Sequence, residues 1–342
     1  MERRLQLVKK IAPDLTEEMI KRYRVLKAVQ LLQPCGRRLV VLSLGMTERT
    51  VRSEIERLSA QNLVHVSKIG MSLTEEGMEV LEGLEKVFSA LTGLSVLEER
   101  LSKVLGAQKV YVAQGDSADN ERTQKEMGQL AARALFENTQ AGMRIAITGG
   151  SAMAEMVAAV PEGLEQKAKM ILPARGSIGR RLELQADTLA AKLAEKLQAD
   201  YRLLHLPDNL SPRVLEEMKS DPDIAETIQE MEQADILLLG VGNALEMAEK
   251  RHLSPNIRKH LEQEAAVAEA CGYYFDASGK VVYETRSIGI DFNQVHKMDC
   301  IIVVAGGREK AESLLAVSRS IPNGIFVTDE EAAAEMLRLA GK

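Results

Sequence analysis

The stretch RIAITGGSAMAEM, residues 144–156, decides how the larger part of this chain is read. Arg144–Ile147 is a short apolar strand, Gly149-Gly150 interrupts it, and Ser151–Val160 continues with helical spacing. Backbone N–H groups at such a helix start, together with the helix dipole, form an anion site. Glycine lets the backbone approach a phosphate closely, and the hydroxyls of Thr148 and Ser151 add donors. The plainer reading is an ordinary β–α turn, which also favours glycine. No Gly-Lys-Ser/Thr follows, so this is no Walker loop, and the GxGxxG dinucleotide pattern is absent.

The same alternation extends to both sides. Buried-type strands are predicted at Lys109–Ala113, Arg144–Ile147, Met170–Leu172, Tyr201–Leu206, Ile236–Gly240, Cys300–Ala305 and Gly324–Val327. Amphipathic helices lie between most of them, at Thr123–Asn138, Ser151–Val160, Leu184–Gln198, Ile224–Met231, Arg308–Ser318 and Glu330–Leu339. That pattern predicts an α/β domain with a doubly wound, mostly parallel sheet covered on both faces. Tyr273–Val282 reads as an inserted hairpin turning at Gly279. Three further strand ends carry glycine with a basic residue nearby: Pro173–Gly179 with Arg175, Gly240–Gly242 with Lys250 and Arg251, and Ala305–Gly307 with Lys310. Ligands of open parallel sheets bind at the carboxyl ends of strands. Converging cations there favour a ligand phosphorylated at two ends.

Residues 1–106 differ in kind. Thr16-Glu17-Glu18 has the signature of a helix start, and Pro34 ends that helix. Arg37–Leu44 reads as a second helix, Gly45 as a tight turn, and Thr47 as the cap of a third helix ending near Asn62. Leu63–Leu73 alternates with period two and reads as a β-hairpin, or wing. Helices then follow from Thr74 and at Ser95–Leu105. Within the third helix Val51, Ile55 and Leu58 share one face, predicted to pack on Leu39, Leu42 and Leu44. Arg49, Arg52 and Ser53 take the opposite face, with Thr50 and Arg57 beside them. This is a winged helix-turn-helix. Arg49, Thr50, Arg52 and Ser53 are placed for base edges, Arg37 and Arg38 for phosphate, and His65 and Lys68 for an adjacent phosphate or the minor groove. A solvated charged face is the plainer reading of one such helix alone; the whole series within a basic segment favours DNA.

Charge separates the two parts. The 342 residues sum to a net −6. Residues 1–72 hold 14 Lys+Arg against 7 Asp+Glu, a balance of +7, and the remainder holds 30 against 43, a balance of −13. A basic head on an acidic body suggests a polyanion-binding module fused to something else. The organisation expected is a DNA-binding domain at 1–74, linker or oligomerisation helices at 75–105, and an effector-binding domain at 106–342. No apolar run reaches the roughly 20 residues that span a bilayer, and MERRLQLVKK does not read as a secretory signal. Three separated cysteines (Cys35, Cys271, Cys300) argue against a disulfide framework or cysteine zinc site and fit a reducing, cytoplasmic setting. No cofactor, metal site or membrane partner is expected. Candidate catalysts are sparse: none of the five histidines lies in a metal or nucleophile motif, and Glu269 and Asp329 read as ligand hydrogen bonds or caps.

ITGGSAMAEM, PARGSIGRRLELQADTLAAKLAEKL, YRLLHLP, GVGNALEMAEKR, EACGYYFDASGKVV and VAGGREKAE, behind a winged head, resemble the SorC/DeoR-type sugar-responsive repressors of bacteria over essentially the whole chain. The resemblance implies an effector domain related to phosphosugar isomerases and deaminases. It also implies control of central glycolytic genes, relieved by fructose-1,6-bisphosphate, by a homodimer that associates into a tetramer on operator DNA. Carried over, Gly149, Gly150, Ser151, Ala152, Arg175 and Lys310 are expected to hold one phosphate. Gln185 and Glu269 are expected to bind sugar hydroxyls, and Lys250 and Arg251 the second phosphate. Ser151-Ala152 replaces two threonines of the family pattern, and Lys250 replaces an arginine, trading a bidentate fork for a point charge. Both are expected to lower affinity or shift the preferred phosphosugar. The alternative is a phosphosugar isomerase or deaminase with a DNA-binding head. Against it, the related deaminases carry Asp-Gly-His after the Gly-x-Gly strand end, where this chain has Asn243-Ala244-Leu245-Glu246.

Overall fold

The computed structural model describes residues 2–161, 168–176, 181–208 and 210–341. The chain divides into two compact units. Residues to Glu98 together with Asp119–Arg122 form one, and Glu99–Ala118 with the residues from Thr123 onward form the other.

The first unit starts with helices α1 (Glu2–Ile11) and α2 (Pro13–Leu32). The expected start at Thr16 is corrected: Pro13 opens the helix, and Thr16 is buried inside it with its hydroxyl bonded to the Ala12 carbonyl at 2.8 Å. Helix α3 (Arg37–Leu44) ends at Gly45, whose φ of 62° supplies the left-handed turn. Helix α4 (Glu48–Ala60) is capped by Thr47, which accepts the Thr50 N–H at 3.2 Å. Strands β1 (Val64–Val66) and β2 (Met71–Leu73) form the antiparallel wing. Thr74 then caps α5 (Glu75–Thr92), and α6 (Leu94–Leu105) follows.

Val51, Ile55 and Leu58 are buried as predicted, against Val25, Val29 and Val40. The partners assigned to α3 are partly wrong. Leu44 packs on the core as predicted, but Leu39 and Leu42 are exposed, and Val40 and Val41 face the core in their place. An eight-residue helix rich in apolar residues leaves its phase open, and Val40 and Leu44, four apart, define the inner face.

The second unit is built on a seven-stranded, wholly parallel sheet. Its strands are β3 (Lys109–Ala113), β4 (Arg144–Ile147), β5 (Met170–Pro173), β6 (Asp200–Tyr201), β7 (Ile236–Gly240), β12 (Cys300–Val304) and β13 (Ile325–Asp329), in the order β3-β13-β12-β7-β4-β5-β6. The core is dominated by Ile, Leu, Val and Met of these strands and of the covering helices. Beside it stands an antiparallel sheet of β8 (Gly242–Asn243), β9 (Ala266–Ala270), β10 (Tyr273–Asp276) and β11 (Val281–Glu284), in the order β11-β10-β9-β8. The predicted hairpin is therefore half of a four-stranded sheet.

The strand expected at Tyr201–Leu206 is only two residues long. The N–H groups of Leu204 and His205 donate to the Asp187 carboxylate at 2.9 and 3.0 Å, which draws the chain away from the sheet. Helices Pro212–Lys219 and Pro255–Gln263 were not predicted; both are short, begin at proline and carry a serine cap. Ser177, Ile178 and Gly179, in the predicted Pro173–Gly179 turn, lie outside the described residues.

One contact fixes where the wing meets α5. A Cβ on Gly77 would lie 2.1 Å from the Leu63 carbonyl oxygen. Alanine stabilises an exposed helix by up to about 1 kcal/mol over glycine. Here the backbone clash reverses the sign, and Gly77→Ala should destabilise the first unit by about 1–3 kcal/mol in denaturant unfolding.

Candidate functional site

In the first unit, the basic face of α4 is open. Arg49 is exposed, and Thr50 and Ser53 are half-exposed. Arg52 is exposed and held along the helix by Glu56, Nε to Oε1 at 2.9 Å. Arg37 and Arg38 are exposed on the first turn of α3, and Lys68 is exposed at the wing turn. Arg57 is different. It bonds Glu18 at 3.0 Å and Glu54 at 3.4 Å, and Glu54, which is 2 % exposed, also accepts Arg22 Nε at 2.9 Å. This network ties α2 to α4 and sets the angle at which the basic face is presented. Sequence reading missed it because its members lie 32 and 39 residues apart.

In the second unit, strand order reverses between β4 and β7. Their carboxyl ends diverge into the crevice where open α/β sheets take ligands. Thr148 stitches the two together: its N–H donates to the Leu238 carbonyl at 2.9 Å, and its hydroxyl accepts the Gly240 N–H at 3.2 Å. Both glycines of the turn are required. A Cβ on Gly149 would lie 2.5 Å from the Leu184 carbonyl oxygen, and Gly150 has φ 121°. The helix Ser151–Ala159 then begins, its first N–H groups lacking intrahelical acceptors.

A cavity of about 510 Å³ fills this crevice. Gly149, Gly150, Ser151, Ala152, Arg175, Gln185, Lys250, Arg251, Glu269 and Lys310 all line it. The ten residues singled out from sequence, drawn from six separate segments, thus come together in one place.

The cationic wall of the cavity is buried and internally paired. Arg175 follows β5 in a turn held by the Ile290 N–H, which donates to the Ala174 carbonyl at 2.9 Å. Its guanidinium, 5 % exposed as a residue, bonds Asp208, the Cys271 carbonyl and the Thr285 hydroxyl. Gly272 makes room for it, since a Cβ there would overlap the guanidinium. Arg251 pairs with the other oxygen of Asp208 and with Glu269 Oε1 at 2.6 Å. Its Nε is buried with no hydrogen-bond partner among the described residues. Glu269 lies on β9 opposite Gly242, and its Oε1 also accepts the Gly272 N–H at 2.5 Å. Burial pushes the nearby Cys271 thiol up, against the opposing pull of Arg175, so it stays protonated near neutrality. Asp208, which bridges the two arginines, was missed by sequence reading. It sits after Pro207 with no motif around it, 33 residues from Arg175.

The remaining lysines are less confined. Lys250 is exposed, with Glu246 at 3.8 Å. Lys310 is half-buried on a single turn, Arg308–Lys310, that follows Gly306-Gly307. Asp329 anchors that turn from below. Fully buried, it accepts N–H groups of Ser117 at 2.8 Å, Gly307 at 2.7 Å and Ala332 at 2.8 Å. It is a helix cap and a turn anchor. Among the described residues no cluster of His, Cys, Asp and Glu could hold a metal ion.

Comparison with known proteins agrees with this division. A family model described as "CggR N-terminal DNA binding domain" matches residues 19–88, and one described as "Putative sugar-binding domain" matches residues 89–338. The chain is 36 % identical over 338 residues to the central glycolytic genes regulator of Bacillus subtilis, covering 99 % of each. It is 35 % identical over 335 residues to that of Priestia megaterium, covering 98 % of each. Among solved structures, a "putative SorC family transcriptional regulator" of Enterococcus faecalis superposes with a TM-score of 0.66 at 31 % identity, over 70 % of this chain and 99 % of that one. The full-length sorbitol operon regulator SorC of Klebsiella pneumoniae, at 18 % identity, shares the fold with a TM-score of 0.65 over 97 % of this chain and 99 % of its own. The chain belongs to the central glycolytic genes regulator family, sugar-responsive transcriptional repressors of SorC type that join a DNA-binding domain to a sugar-binding domain and are not enzymes.

Proposed function

We propose that this repressor acts on central glycolytic genes and that fructose-1,6-bisphosphate relieves its operator binding. The observation that carries this reading is the single cavity lined by Gly149–Ala152 at one side and by Arg175, Lys250, Arg251 and Lys310 at others. A helix N-terminus and four cations within about 510 Å³ suit a small polyanionic ligand with phosphate at two ends. One phosphate is taken by Gly149, Gly150, Ser151 and Ala152 with Arg175 and Lys310. The other is taken by Lys250 and Arg251, with Gln185 and Glu269 on the hydroxyls. Asp208 and Glu269 already neutralise Arg175 and Arg251, so an incoming phosphate shares or displaces those carboxylates.

On the DNA side, Arg49, Thr50, Arg52 and Ser53 read the major groove, Arg37 and Arg38 hold phosphates, and Lys68 reaches from the wing. Arg52 exchanges its bond to Glu56 for a base edge. Residues 1–74 act as the DNA-binding domain, 75–105 as linker and oligomerisation helices, and 106–342 as the effector domain. A cytoplasmic homodimer associates into a tetramer on DNA. The sugar bisphosphate prefers a conformation that fits this assembly less well, with a coupling of about 1–3 kcal/mol.

Two substitutions separate the functions. Arg52→Ala should weaken DNA binding about tenfold or more in mobility-shift titrations, because a bidentate base contact is worth about 1–3 kcal/mol. It should leave the thermal shift with fructose-1,6-bisphosphate intact. Arg175→Ala should abolish that shift and leave DNA affinity in the absence of sugar unchanged. The same pattern of loss in both variants would contradict the assignment.

Asp208→Asn tests the paired wall. Removing one partner of a buried ion pair costs about 3–5 kcal/mol, so the melting temperature should fall. Inorganic phosphate should restore more stability to the variant than to the wild type, since it supplies the missing charge.

A further inference from the structure

We infer that Arg181 is a further effector-binding residue, which leaves Glu183 and takes the phosphate seated at the Gly149-Gly150 turn. The inference rests on the bisphosphate reading of the cavity. It starts from charge. Arg175 and Arg251 are buried against Asp208 and Glu269, two guanidinium groups with two carboxylates. Lys250 has Glu246 at 3.8 Å, and Glu246 lines the same cavity. Those six groups sum to zero. A sugar with two phosphates brings a charge of about −3 to −4 at pH 7. Lys310 offsets one unit of it. Among the described residues one more cation lines the cavity, and it is Arg181.

The backbone carries Arg181 to the glycine turn. Its carbonyl accepts the Leu184 N–H at 3.1 Å, closing the single turn Leu182–Leu184. The Leu184 carbonyl accepts the Gly150 N–H at 2.9 Å, and a Cβ on Gly149 would strike it. The segment that bears Arg181 is therefore docked on the two glycines that precede helix Ser151–Ala159. The same bond occupies the Gly150 N–H, and Ala152 offers no side-chain donor, so a phosphate here needs a donor from elsewhere. An arginine fork supplies two parallel hydrogen bonds. Arg181 can be spared for this. Its side chain is 72 % exposed, and its Nε donates to Oε1 of exposed Glu183 at 2.7 Å. A surface pair of that kind holds its members weakly, whereas the buried pairs of the wall are costly to part.

The test is calorimetric titration of the full chain with fructose-1,6-bisphosphate. Arg181→Gln should weaken binding about tenfold or more and leave the melting temperature without sugar unchanged. Arg181→Lys keeps the charge without the fork and should recover only part of the loss. Glu183→Gln removes the competing carboxylate and should tighten binding about two- to threefold, an effect that disappears when Arg181→Gln is also present. Two double variants locate the contact. Arg181 and Lys310 serve one phosphate, so their losses on substitution by Gln should not add, whereas those of Arg181 and Lys250, on different phosphates, should add. Undiminished binding by Arg181→Gln overturns the inference and leaves the bisphosphate reading standing. Losses that add with Lys310→Gln and fail to add with Lys250→Gln overturn the placement at the glycine turn. A wild-type chain that does not bind the bisphosphate overturns that reading, and the inference with it.

Discussion

Two guanidinium groups, Arg175 and Arg251, are buried side by side at the carboxyl edge of a parallel sheet, and neither could stay there without negative charge between them. Asp208 supplies that charge with one oxygen to each, and Glu269 adds a second carboxylate to Arg251. Much of the surrounding structure exists to hold this arrangement. The segment around Ile290 staples the turn that carries Arg175, Gly272 clears space for its guanidinium, and β8 and β9 bring Glu269 beside the Gly240–Gly242 turn. Burial in low dielectric makes such a group costly when incompletely paired and strongly responsive to any anion that completes it.

The head uses a related device for a different end. Buried Glu54, with Glu18, gathers Arg22 and Arg57 and locks α4 against α2. Two arginines are thereby withdrawn from the basic surface, and Arg49 and Arg52 are left in the open. The balance of +7 over residues 1–72 thus overstates the charge available to DNA. The acidic body reverses the pattern, with Lys310 and Lys250 as local cations at strand ends.

Most of the fold was legible because its signals are local. Gly45, Thr47 and Thr74 mark helix ends by conformational freedom and hydroxyl capping, and the apolar runs of β3, β4, β5, β7, β12 and β13 leave little choice but buried parallel strands. The errors share one cause. Thr16 has the composition of a cap, yet Pro13 starts the helix three residues earlier. Leu39 and Leu42 were as plausible inward as Val40 and Val41 until the neighbouring helices fixed the phase. The cavity lining was foreseen from glycine turns and from family resemblance. Asp208 and Thr285 acquire their roles only by folding, since their partners are distant in sequence. No local pattern distinguishes the Asp208 carboxylate from one in solvent.

The central claim is that occupancy of this one cavity and operator binding are thermodynamically linked. Linkage is reciprocal: if the sugar weakens DNA binding by some factor, DNA must weaken sugar binding by the same factor. The direct measurement is calorimetric titration of fructose-1,6-bisphosphate into the free protein and into its complex with a DNA fragment selected in vitro for tight binding. The account predicts a dissociation constant about 5–150-fold weaker on the complex, equal to the factor by which saturating sugar weakens DNA affinity. Equal dissociation constants in the two titrations would contradict it.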